Sequence, residues 1–117
     1  MEWVAVDQGD VTEHGSSGLY LVEAARLTAV AHFRTHVAYV APGGVLGTHP
    51  TRWWQLFVVV SGSGWVRTDG AEPEVIQERQ AVLWAPGEVH ESGSDDGMTV
   101  VMVQSDVRLP YGDAPAG

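Results

Sequence analysis

GGVLGTHPTRWWQLFVVVSG (Gly43–Gly62) and RQAVLWAPGEVHESGS (Arg79–Ser94) are the two stretches whose reading decides the fold. In the first, Gln55 to Val60 is an apolar run rich in β-branched residues. That composition predicts a strand buried on both faces. The Gly62-Ser63-Gly64 that follows reads as a turn. In the second, Ala81 to Trp84 predicts another short buried strand, stopped by Pro86-Gly87. Each stretch carries one histidine, His49 and His90, beside residues of strand type.

Working outward, the rest of the chain reads the same way. Trp3-Val4-Ala5-Val6 predicts a short edge strand, and Asp10 to Gly18 a polar loop. Leu19 to Val22 predicts a strand. Glu23 to Ala31 is compatible with a helix, but its β-rich surroundings favour a turn followed by a strand. His32 to Ala41 predicts a strand with Thr35, Val37, Tyr39 and Ala41 on one face, closed by Pro42-Gly43-Gly44. Trp65 to Thr68 and Val75 to Gln77 flank Asp69-Gly70 as a hairpin. Thr99 to Val103 is the last long strand, and Val107 to Gly117 a Pro/Gly-rich tail with a mobile end. About eight short strands with turns between them predict an all-β sandwich or barrel. This pattern alone does not choose between an immunoglobulin-like sandwich and a jelly roll.

With 117 residues the chain is sized for one domain with one core, and 44% hydrophobic residues can fill it. Fourteen Gly and six Pro suit a fold with many turns. The net charge of −9 argues against nucleic acid and anionic lipid as partners, and no Lys/Arg cluster overrides it. The absence of cysteine removes disulfides and thiolate chemistry. No signal-peptide pattern and no apolar stretch of membrane-spanning length is visible, so a soluble, cytoplasmic protein is expected.

The two opening stretches resemble the two signature motifs of the cupin superfamily. The first cupin motif runs Gly, five residues, His-x-His, three or four residues, Glu, six residues, Gly. Gly43, His49, Gln55 and Gly62 fall on that spacing, with Thr51 in place of the second His and Gln55 in place of the Glu. In the second motif Gly87 and His90 match, while Arg79, Ala85 and Ser94 replace the Gly, Pro and Asn, and Pro86 is shifted by one place. The resemblance spans about Thr35 to Val103. It implies a cupin-type antiparallel jelly-roll β barrel at 13–108, with an N-terminal strand or arm at 1–12 and a flexible tail at 109–117.

The resemblance further implies that His49, Gln55 and His90 point into the barrel, where the superfamily holds a divalent metal. The ion expected is one divalent transition metal, Zn, Fe, Ni or Mn; imidazole suits Zn, Fe, Ni and Cu, whereas the uncharged amide of Gln55 and the hydroxyl of Thr51 are poor ligands. The set is therefore a weakened metal site. Glu91 faces away from His90 along a strand. His36 is a further candidate whose phase the sequence leaves open, and His14 reads as a solvated loop residue.

Phe57 and Trp84 read as core. Thr51, Trp53 and Phe57 are expected to line the pocket, with Trp53 able to stack on a planar or sugar-like ligand. Arg52 reads as a surface charge, with an anion clamp as the alternative. Three functions fit: a small-molecule-binding module, a metal-dependent dioxygenase or isomerase, and a metal-free enzyme with a histidine base. The first requires least beyond the residues, and the third needs a carboxylate partner that the motifs lack. If Gln55 faces inward, then Leu56, Val58 and Val60 face out. That stripe, extended by Trp54 and Trp3, predicts a homodimer, unless the N-terminal segment of the same chain covers it.

Overall fold

The computed structural model describes residues 1–25, 32–108 and 112–113. In chain order the strands are β1 (Glu2–Ala5), β2 (Gln8–Val11), β3 (Leu19–Val22), β4 (Phe33–Val40), β5 (Val45–Pro50), β6 (Trp54–Thr68), β7 (Glu74–Gln77), β8 (Ala81–Trp84), β9 (Val89–Gly93), β10 (Met98–Ser105) and β11 (Gly112–Asp113). The turn and strand expected at Glu23 to Ala31 lie, from residue 26 onward, outside the described residues. So does most of the 109–117 tail, of which Gly112–Asp113 pairs with β1. Since β1 also pairs with β8, the N-terminal strand has a neighbour on both sides and is not an edge.

All pairings are antiparallel, and β6 organises them. Its first half lies between β8 and β10, with β4 beyond β10. Its second half lies between β7 and β9, with β5 beyond β9. One strand thus belongs to both layers of the barrel. The turn expected at Gly62-Ser63-Gly64 is corrected here, because β6 runs straight through these residues.

The glycines serve the passage between layers. The register against β10 slips between Val59 and Ser61, a β-bulge, and Gly62 follows with φ of 79°. A Cβ on Gly62 would lie 2.3 Å from the Gly97 carbonyl oxygen, and one on Gly64 would lie 2.2 Å from that of Gly93. Only glycine lets the backbones approach so closely.

Two apolar clusters flank the first half of β6. Between the layers lie Phe57, Val59, Val66, Ile76, Val82, Trp84, Met98 and Val100. On the other face, Leu56, Val58, Ala81, Leu83 and Val103 pack against Val4 and Val6. Leu56 and Val58 are 0% and 2% exposed. The outward stripe is therefore covered by the N-terminal segment of the same chain, which removes it as a basis for a homodimer. Trp54 packs against this outer cluster but Trp3 against the inner one, and only Val60 of the stripe is exposed.

Candidate functional site

The site forms at one end of the barrel, where β5 and β9 meet β6 and β10. His49 of β5 and His90 of β9 are direct partners in the ladder, so their side chains project from the same face. Their ring centroids are 4.4 Å apart. His90 is buried and stacks on Trp84 at 4.4 Å, and Trp84 meets Phe57 edge-on at 5.5 Å. His49 stands at the exposed rim.

Each imidazole is oriented by its own backbone. Nδ1 of His49 lies 2.6 Å from the Gly47 carbonyl oxygen, and Nδ1 of His90 lies 3.5 Å from that of Glu88. A carbonyl only accepts, so Nδ1 carries the proton and Nε2 keeps the lone pair. Burial first, and the neighbouring His49 second, hold His90 below the ordinary histidine range.

A cavity of about 260 Å³ opens in front of this pair. His36, His49, Gln55, His90, Ser92 and Gln104 supply its polar wall, and Leu46, Phe57 and Met102 its apolar wall. Gln104 donates from Nε2 to Oε1 of Gln55 at 2.8 Å. Nε2 of Gln55 in turn approaches Sδ of Met102 at 4.0 Å. A larger hollow of about 490 Å³ lies along β2 and β3, but it brings together no histidine and no pair of amides, so the chemistry favours the barrel cavity.

The structure brings His49, Gln55, His90 and Phe57 into one cavity and adds His36 to it. It does not bring Thr51 or Trp53 into the lining. Strand β5 ends at Pro50 and β6 starts at Trp54, so the alternation does not carry across. Thr51 turns its hydroxyl back to the Trp53 carbonyl at 2.7 Å and is buried in that turn. Trp53 stacks on His32 at 4.9 Å instead. Gln104, Ser92, Leu46 and Met102 are lining residues that the sequence reading missed. They enter through β9, β10 and β5, whose register no local signal encodes.

The donor set does not fit a tightly held metal ion. Among the described residues no three His, Cys, Asp or Glu side chains cluster closely enough to share one. The oxygen of Gln55 that would serve already accepts from Gln104. Glu88 offers no carboxylate to His90 either. Its two oxygens meet the Met1 amino group and the Ala85 N–H. Burial alone would raise its pKa, but these donors together with His90 hold the Glu88 carboxyl below its usual range.

No protein-family model and no curated protein matches the chain. Solved structures do. A cupin superfamily protein from Desulfitobacterium hafniense superposes with a TM-score of 0.61 at 9% identity, over 68% of this chain and 72% of the other. An RmlC-like cupin with a double-stranded β-helix fold from Methanocaldococcus jannaschii gives 0.61 at 12% identity, over 69% and 76%. A DMSP lyase from Ruegeria pomeroyi gives 0.58 at 15% identity, over 62% of this chain and 38% of that longer one.

Proposed function

We propose that this chain, a cupin by fold, is a small-molecule-binding domain that takes a small organic ligand in the cavity between His49, Gln55 and His90. The observation that carries this reading is a single one. Histidine and amide side chains from β5, β6, β9 and β10 converge on one roughly 260 Å³ space that Leu46, Phe57 and Met102 also line. A few fixed polar groups set among apolar side chains are the usual make-up of a ligand pocket. The two Nε2 lone pairs and the remaining lone pair of the Gln55 oxygen accept hydrogen bonds, while the amide N–H groups and Ser92 donate them.

The metal site of this reading is a weakened one. Two imidazoles would hold a divalent ion such as Zn, Fe, Ni or Mn only loosely. Among the described residues no helix is long and apolar enough to cross a membrane. The alternative, a metal-dependent enzyme, has one observation in its favour: His36 lines the same cavity, although as the side chains stand it is not close enough to share an ion with His49 and His90.

Two experiments separate the readings. Metal analysis of protein purified without added metal should find well below one ion per chain. Near-stoichiometric Fe, Ni, Mn or Zn would favour the enzyme. A fragment screen by ligand-observed NMR should give hits that are lost in Leu46→Trp, whose indole fills the cavity. Hits unaffected by that change would place binding elsewhere.

A further inference from the structure

We propose that the mouth of this cavity binds the carboxylate of a small organic acid, held by Arg34 and Arg52 over the Trp53 ring. This rests on the cavity being a small-molecule site and names the class of molecule it takes.

The first argument is register. Arg34, Gln104, Gln55 and Trp84 are successive direct partners across β4, β10, β6 and β8. Residues opposed in this way project to the same face. Gln104 and Gln55 line the cavity, so Arg34 stands on the cavity side, two residues before His36, which lines it too. Its guanidinium carbon is 5.8 Å from the centroid of Trp53, and that of Arg52 is 5.6 Å from the same ring. Two cations from different segments thus converge on one aromatic plate beside the opening.

The second argument is charge. The chain carries fifteen acidic residues against six basic ones. Arg67 and Arg108 are paired, with Glu91 and Glu2. Arg34 and Arg52 have no carboxylate partner among the described residues. Asp106, at this end of β10, donates its backbone N–H to the His32 carbonyl at 3.3 Å. Two guanidiniums gathered on one ring, neither with a carboxylate partner, make a positive patch that favours an anion. Guanidinium is also the side chain whose fork matches a carboxylate.

The third argument is the interior. The cavity wall holds imidazoles, amides and apolar groups, and neither carboxylate nor guanidinium. A ligand matched to both regions has one anionic end and an uncharged body small enough for about 260 Å³.

The test uses the full chain and two matched series: acetate, butyrate and benzoate against acetamide, butyramide and benzamide, at fixed ionic strength. Imidazole resonances of His49 and His90 report the cavity, and the indole N–H resonance of Trp53 reports its mouth. At least one acid should bind about tenfold or more tighter than its amide. Arg34→Gln and Arg52→Gln should each weaken that acid by about tenfold, the size expected for loss of a charge-assisted hydrogen bond. Both arginines are exposed, so the melting temperature should not change and the amides should bind as before. Acids and amides binding alike, or acids indifferent to both substitutions, would overturn the carboxylate mouth and leave the cavity standing. No response at His49 and His90 to either series at millimolar concentration would overturn both.

Discussion

Along its first half, β6 sends Gln55, Phe57 and Val59 between the layers and Leu56 and Val58 to the opposite side, and the two faces are finished differently. The outer face is closed. Val4 and Val6 lie against Leu56 and Val58, and the contact is apolar throughout. The inner face is closed only in its deeper part, where Phe57 and Trp84 meet. At its mouth it ends in the Gln55–Gln104 amide pair and the His49–His90 pair. A single strand therefore carries an apolar seal on one face and, on the proposed reading, recognition on the other. Substitutions on the outer face should lower stability without touching ligand binding. Those at the inner mouth should change ligand binding and cost less stability than those on the outer face.

The largest expected effect lies on the outer face. Leu56→Ala removes a fully buried side chain and should destabilise by about 2–5 kcal/mol, read by urea denaturation, with any ligand's affinity unchanged at temperatures where the variant is folded. If the affinity falls in step with stability, the two faces are coupled and the comparison fails.

At the inner mouth, Gln104→Leu leaves the buried Gln55 oxygen without its donor and should cost about 1–3 kcal/mol. Replacing both amides by leucine should restore part of that loss, because no unpaired group remains. A double-mutant cycle with additive costs would show that the pair is not coupled.

The pH dependence is smaller. His90 is held below its ordinary pKa by burial and by His49, so the unfolded chain takes up a proton that the folded chain refuses. Stability is then complete above the ordinary histidine value of about 6.5 and declines as pH falls below it, toward the lowered folded value. The decline should be reduced in His90→Gln. A wild-type melting temperature that rises as pH falls through this window would contradict the sign.

The smallest effect concerns Arg79, which has φ of 72° where the second cupin motif has glycine. Arg79→Gly relieves a left-handed conformation worth about 1–2 kcal/mol but loses the guanidinium stacked on Tyr20 at 4.2 Å, worth about 0.5–1 kcal/mol when exposed. The melting temperature should rise by a degree or two, and a fall would mean that the Tyr20 contact outweighs the strain.

What the sequence made legible follows from strict local alternation. Within 55–59 the motif resemblance puts Gln55 inward, the period of two then puts Phe57 inward and Leu56 and Val58 outward, and the structure has them so. The cupin spacing places His49 and His90 opposite each other although forty-one residues separate them in the chain. Alternation fails at Thr51 and Trp53 because a turn interrupts it, and a turn has no period. Gly62 and Gly64 misled for a different reason. Glycine marks both turns and close backbone approaches, and only the positions of Gly93, Gly97 and Met98 tell them apart. Gln104 and His36 were out of reach or left open because their side of the barrel is set by long-range register. The cover over Leu56 and Val58 was foreseen only as the alternative to a dimer, since an apolar stripe does not say what lies on it.

The most direct test of the central claim is a chemical-shift map of the chain against one bound small molecule, read at the imidazoles of His49 and His90 and at the methyls of Val4, Val6 and Val58. The account predicts saturable shifts at both imidazoles and at Phe57, with the methyls of the outer cluster unmoved. Shifts centred on the outer cluster, with both imidazoles silent, would contradict it.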